Sequence, residues 1–124
     1  MIARIAAIGG RIMLAILFIL AGVNKLLNLD TTQAYIEGVS VLPSFLALPA
    51  ALFEIFGGMA LAVGLWPRIV APAMAVFTLL TIVFFHYDTS STQEMALAMK
   101  NLAIAGGLFM VFAHAEATRT VVAG

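Results

Sequence analysis

The stretch IVAPAMAVFTLLTIVFFHY, residues 69–87, runs nineteen positions without a Lys, Arg, Asp or Glu. About 20 apolar residues in an α-helix, rising 1.5 Å each, cover the roughly 30 Å hydrocarbon layer of a bilayer. Trp66-Pro67-Arg68 bounds the stretch on one side and Asp88 on the other. Trp66 suits the headgroup level, and Pro72 is expected in the first turn, where a missing N–H matters least. Outward from this segment the pattern repeats at residues 3–27, 46–65 and 92–115, each broken only by isolated ionisable groups. Four such spans use about 80 residues, which leaves little of the 124 for loops. The fold class predicted is all-α, an integral membrane antiparallel four-helix bundle, with residues 1–124 as a single transmembrane domain.

Composition points the same way. Hydrophobic residues make up 64% of the chain and charged residues 10%, against about 25% charged in a typical soluble domain. Only a lipid bilayer suits a surface built from such residues. The absence of cysteine excludes disulfides and thiolate metal sites within the chain, and no other metal-ligand pattern stands out. A formal net charge of +0 gives nucleic-acid binding no electrostatic support. Arg4 and Arg11 before an apolar run resemble a secretory signal, but Leu20-Ala21-Gly22-Val23 lacks the paired small residues of a cleavage site. The segment therefore reads as a retained first span.

Between the first two spans, Asp30-Thr31-Thr32-Gln33 has the form of a capping box, with Asp30 as N-cap and Gln33 reaching back. It predicts a short interfacial helix over 31–38, ended by Gly38. Ser91-Thr92-Gln93-Glu94 is a second capping box, opening the fourth span. With an even number of spans, both termini share a side with the Trp66–Arg68 turn. That side holds Arg4, Arg68 and Arg119, with Arg11 leaning toward it; the other holds Asp30, Glu37, Asp88 and Glu94, with Lys25 and Lys100 near helix ends. The positive-inside rule makes the arginine side, and so the N- and C-termini, cytoplasmic.

Helical rise places the buried polar groups. Glu54 lies about two turns below the outer start of the second span, and Lys100 and Asn101 about two turns below that of the fourth. Asn24, Lys25 and His86 lie close to the outer boundary, so every span contributes a polar group to the outer half, while Arg11 sits in the inner half. The expected inward faces are Arg11, Ala15, Phe18, Gly22 and Lys25 on the first span, and Ala50, Glu54, Gly58 and Ala62 on the second. Val76, Leu79, Val83 and His86 face inward from the third, and Asn101 and Ala105 from the fourth.

A carboxylate at Glu54's depth must be protonated, paired or wet, and Lys25 and Lys100 are both candidate partners. Each neighbour also has a purely architectural explanation. Lys25, Lys100 and Arg11 can snorkel to the headgroups, His86 can be interfacial, and Asn101 can join helices. Glu54 is the hardest to explain that way. His86 and His114 fall at opposite ends, which excludes a bis-histidine haem within the chain. No HExxH, Walker A, GxGxxG or nucleophile-elbow motif is present.

Arg11 with Gly22-Val23-Asn24-Lys25-Leu26 resembles the opening of DoxX-family proteins. So do Phe53-Glu54-Ile55-Phe56-Gly57-Gly58 with Leu61-Ala62-Val63-Gly64-Leu65, Phe84-Phe85-His86, and Lys100-Asn101-Leu102-Ala103 before Gly106-Gly107-Leu108. The resemblance implies a small four-helix bacterial inner-membrane protein. Relatives are linked to thiosulfate:quinone oxidoreductase complexes or to membrane systems handling thiols and oxidative stress. The family's characteristic polar residues match here as Arg11, Lys25, Glu54, His86, Lys100 and Asn101. The resulting expectation is a subunit of a quinone- or thiol/sulfur-linked redox system, binding a small ligand such as a quinone in the outer half, beside a soluble or membrane redox partner or as a homo-oligomer. Nothing guarantees enzyme activity from this chain alone. The rivals are a non-enzymatic membrane scaffold or adaptor, and a small-solute or proton pathway.

Overall fold

The computed structural model describes residues 1–86 and 90–123, the last five of these by their backbone alone. The expected span end at Tyr87, the turn at Asp88 and the Arg119 side chain lie outside the described residues. Five α-helices form: α1 (Ile2–Leu27), α2 (Leu29–Val39), α3 (Ala47–Val63), α4 (Pro67–Phe85) and α5 (Thr92–Ala123), with a 3-10 turn at Ser44–Leu46 leading into α3. Four segments are long and apolar enough to cross a membrane: Ile2–Leu27, Ser44–Val63, Pro67–Phe85 and Thr92–Thr118. The chain is an all-α, multi-pass membrane protein.

The helices are arranged as two closely packed pairs. α1 packs most extensively on the antiparallel α3, and α4 on the antiparallel α5; the α1–α5 and α3–α4 contacts are thinner. Ala15, Phe18, Leu61, Ala71, Met74, Ala75, Ala105 and Leu108 make the buried core. Outward-facing side chains such as Met13, Leu20, Val76, Leu102 and Met110 are apolar and exposed, which is the surface that lipid requires. Two glycines set the α1–α3 spacing. A Cβ on Gly22 would meet Ile55 Cγ1 at 2.6 Å and the Ala51 carbonyl oxygen at 2.7 Å; one on Gly58 would meet Ile19 Cγ1 at 2.8 Å. Small residues allow this close approach.

Several local expectations are corrected. α2 begins at Leu29 with Asn28 as N-cap and no side-chain cap bond, so Asp30 lies inside the first turn. The Asn28 carbonyl accepts bonds from both the backbone N–H and the hydroxyl of Thr32, which fixes that turn early. The helix runs past Gly38 to Val39, where Ser40 caps it. At the second box, the Glu94 N–H reaches the Ser91 hydroxyl at 3.4 Å, but the Glu94 carboxylate turns to His86 instead of back to the cap. α4 starts at Pro67, whose fixed φ suits the first helical position; Pro72 is therefore interior. The inward face of α4 is Ala71, Met74, Ala75 and Thr78, while Val76 and Val83 are exposed. On α3 Glu54 and Gly58 are buried as expected, but the line continues through Ala47, Ala51 and Leu61 in place of Ala50 and Ala62.

The turn between α3 and α4 needs a glycine. Gly64 has φ +76 and caps α3, and the Leu65 N–H returns to the Ala60 carbonyl at 2.8 Å. The Arg11 guanidinium lies against Gly64 where a Cβ would be, next to the negative end of the α3 dipole. Gly64→Ala is expected to lose about 1–2 kcal/mol, from left-handed strain and displacement of Arg11, measured by unfolding in mixed micelles.

Candidate functional site

Four helices build a small polar site at the end of the bundle away from both termini. Glu54 sits on α3 about 10 Å, seven residues, inside the helix start, and only 4% of it is exposed. Lys25 is two residues from the end of α1, yet its side chain runs inward instead of out to the headgroups. Its Nζ donates to Glu54 Oε1 at 2.9 Å and to Oε2 at 3.1 Å. The choice between Lys25 and Lys100 as partner of Glu54 is thus made for Lys25. An ammonium has three hydrogens, so one remains for whatever else enters the site.

Asn101 on α5 donates from Nδ2 to Thr81 Oγ1 at 3.0 Å, tying α5 to α4. Thr81 in turn donates to the Thr78 carbonyl, and Thr78 to that of Met74. Below the mouth, Phe77 packs on Phe53 with ring centroids 5.0 Å apart. At the mouth, His86 closes α4 and its Nδ1 lies 2.9 Å from Glu94 Oε2. α2 folds over this end: Tyr35 stacks on Phe85 at 5.6 Å between centroids. Burial, and then the Glu94 carboxylate, raise the Tyr35 phenol above its usual pKa, so it stays a protonated donor through the physiological range.

These groups enclose a cavity of about 210 Å³, lined by Lys25, Glu54, Thr78, Thr81, His86, Lys100 and Asn101 among its polar residues and floored by Phe18, Phe77 and Ile104. That exceeds the roughly 10–15 Å³ one water needs and falls below the ~300 Å³ of common small-molecule pockets. The cavity suits a few waters, a small polar molecule or a single ring. Lys100 lines it without any ion pair among the described residues.

Of the six residues singled out by sequence, the cavity gathers five: Lys25, Glu54, His86, Lys100 and Asn101. Arg11 is not among them. It lies beside Gly64, at the end of the bundle that holds the termini. Sequence reasoning passed over Thr78 and Thr81. The available signal was a pair of hydroxyls three residues apart in an otherwise apolar helix, which places both on one face.

The DoxX family model matches residues 6–87. The chain belongs to the DoxX family. The match takes in Arg11, Lys25, Glu54 and His86 and stops short of Lys100 and Asn101, which the fourth span of this DoxX-family chain supplies. It is also similar to the inner membrane protein YqjF of Escherichia coli (strain K12), with 39% identity over 101 residues, 82% of this chain and 77% of that protein. No solved structure matches the chain.

Proposed function

We propose that this DoxX-family chain is the membrane subunit of a redox system, and that the cavity binds a quinone ring or a comparably small polar ligand. The observation that carries the reading is that Lys100, which makes no ion pair among the described residues, lines with Asn101 the same 210 Å³ cavity as the bidentate Lys25–Glu54 pair. A quinone offers two carbonyl acceptors on a flat apolar ring. Lys100, the third Lys25 hydrogen and the Asn101 amide are donors for the carbonyls, and Phe18 and Phe77 take the ring. His86 at the mouth, hydrogen-bonded to Glu94, is placed to pass a proton between the cavity and the surface.

The bilayer is the inner membrane, in keeping with the similarity to the Escherichia coli inner membrane protein YqjF. The termini are cytoplasmic, because Arg4, Arg11 and Arg68 share their end of the bundle. The cavity then opens from the outer half. The sequence holds no cysteine, so any thiol chemistry belongs to a soluble or membrane redox partner; the chain works beside such a partner or as a homo-oligomer.

A scaffold reading has one observation in its favour. Among the described residues no buried side-chain polar atom lacks a partner, as expected if the polar groups only fix helix register.

A short-chain ubiquinone titrated into the detergent-purified full chain separates the two. Saturable binding is expected, weakened about tenfold in Lys100→Gln, where a charge-assisted hydrogen bond is lost, with an unchanged unfolding midpoint. No saturable binding to the native protein would overturn the quinone reading.

A further inference from the structure

The thin α1–α5 contact leaves a second, much larger space at the opposite end of the bundle. Met1 and Thr118 both border it, so it lies at the end that holds the two termini. Its volume is about 1580 Å³, beyond the roughly 300–1,000 Å³ of ordinary small-molecule sites. The deep walls are apolar, including Leu14 and Leu17 of α1 and Met110 and Val111 of α5. Ala3, Ala7 and Gly10 keep the α1 wall low, and a Cβ added at Gly10 would meet nothing within 4 Å.

The rim is basic. Arg4, Arg11 and Arg68 all border the groove, and none of its lining residues is acidic. Arg11 rises from within α1 to lie beside Gly64 at the end of α3, which brings its guanidinium to the level of the α4 start and of Arg68. Arg68 gives its Nε to Glu116, and its guanidinium has two further donor nitrogens. Arg4 makes no ion pair among the described residues.

We infer that this groove seats an anionic phospholipid, its phosphate among Arg4, Arg11 and Arg68 and an acyl chain along the α1–α5 walls. Charge decides between this occupant and a second copy of the chain. A two-fold interface through the same face would set one basic rim against its twin, and like charges at a low-dielectric interface are repelled. A lipid phosphate neutralises them, and basic pockets between helices at this level are the recognised form of a headgroup site. The groove and the polar cavity share Leu17 and Ile104 in their walls, but Arg4, Arg11, Arg68 and Gly10 border the groove alone.

The test is native mass spectrometry of the delipidated full chain, titrated with phosphatidylglycerol or with phosphatidylcholine of the same acyl chains. Phosphatidylglycerol is expected to bind about tenfold more tightly. Arg4→Gln/Arg68→Gln abolishes that preference. Gly10→Phe fills the groove with the arginines intact and removes the bound lipid itself. Equal binding of the two lipids overturns the inference, as does a preference that survives both variants. A dimer that Gly10→Phe dissociates also overturns it, by giving the face to a second copy.

Discussion

Lys25→Met is expected to destabilise the bundle by about 3 kcal/mol, measured by SDS titration in mixed micelles. Among the described residues the ammonium is the only charge bonded to the Glu54 carboxyl, in a residue that is 4% exposed. Its removal strands Glu54 between α1 and α3. The figure sits at the low end of the range for broken buried pairs, because the Lys25 side chain itself is 32% exposed. Glu54→Gln is expected to cost less than half as much. Lys25 is two residues from the end of α1, so its freed ammonium can swing to the headgroups; Glu54 has no such route. The double variant Lys25→Met/Glu54→Gln recovers most of the loss, because a neutral amide needs no counter-charge. Equal, small effects from both single variants would mean that the pair is open to water and contributes little.

Gly22→Ala is expected to cost about 2 kcal/mol, and Gly22→Leu substantially more. A new Cβ would lie 2.6 Å from Ile55 Cγ1, 2.7 Å from the Ala51 oxygen and 3.1 Å from the Ile55 nitrogen. A side chain can rotate away, but two of those atoms are backbone, so the helices themselves must part. Gly106 is the internal control. Its Cβ would meet nothing, so Gly106→Ala should change stability by less than about 0.5 kcal/mol. The Gly22 effect should also reach the polar site. Gly22 lies one turn before Lys25 and Ala51 one turn before Glu54, so spreading α1 from α3 at this level stretches the Lys25–Glu54 pair. Gly22→Ala combined with Lys25→Met should therefore cost less than the sum of the two, as coupled neighbours do.

These two residues were legible in the sequence for different reasons. Glu54 stands out because a carboxylate in an apolar span demands an explanation, and Gly22 because it shares a helical face with Ala15, Phe18 and Lys25. The spans were legible because long uncharged runs admit few other readings. The facing of α4 was not. When nearly every residue of a helix is apolar, hydrophobicity cannot tell lipid from core, and the valines at 76 and 83 look as suitable for one as for the other. Size contributes instead: Ala71, Ala75 and Thr78 on the inward face are small and allow close helix approach, while Met74 on the same face fills the space left by Gly57 of α3.

Helix ends were read less well than spans. Residues 116–123 continue α5 as far as Ala123, since polarity marks where a chain leaves the membrane and not where its helix stops. The Arg68–Glu116 pair then ties that extension back to α4. Asp30 made a plausible cap, but Asn28 already closes α1 through its N–H to the Asn24 carbonyl and opens α2 through its own carbonyl. One residue between two helices left Asp30 no role as a cap.

Native mass spectrometry of the full chain, released gently from its membrane and compared with Lys100→Gln prepared identically, tests most directly whether the Lys25–Glu54 cavity holds a ligand. The account predicts a quinone or other small adduct distinct from phospholipid on the native chain and its loss from the variant, with the two proteins equally folded. The same phospholipid-only masses for both, with the Lys25→Met and Glu54→Gln stabilities as expected above, would contradict it and leave the polar cluster a device for holding four helices in register.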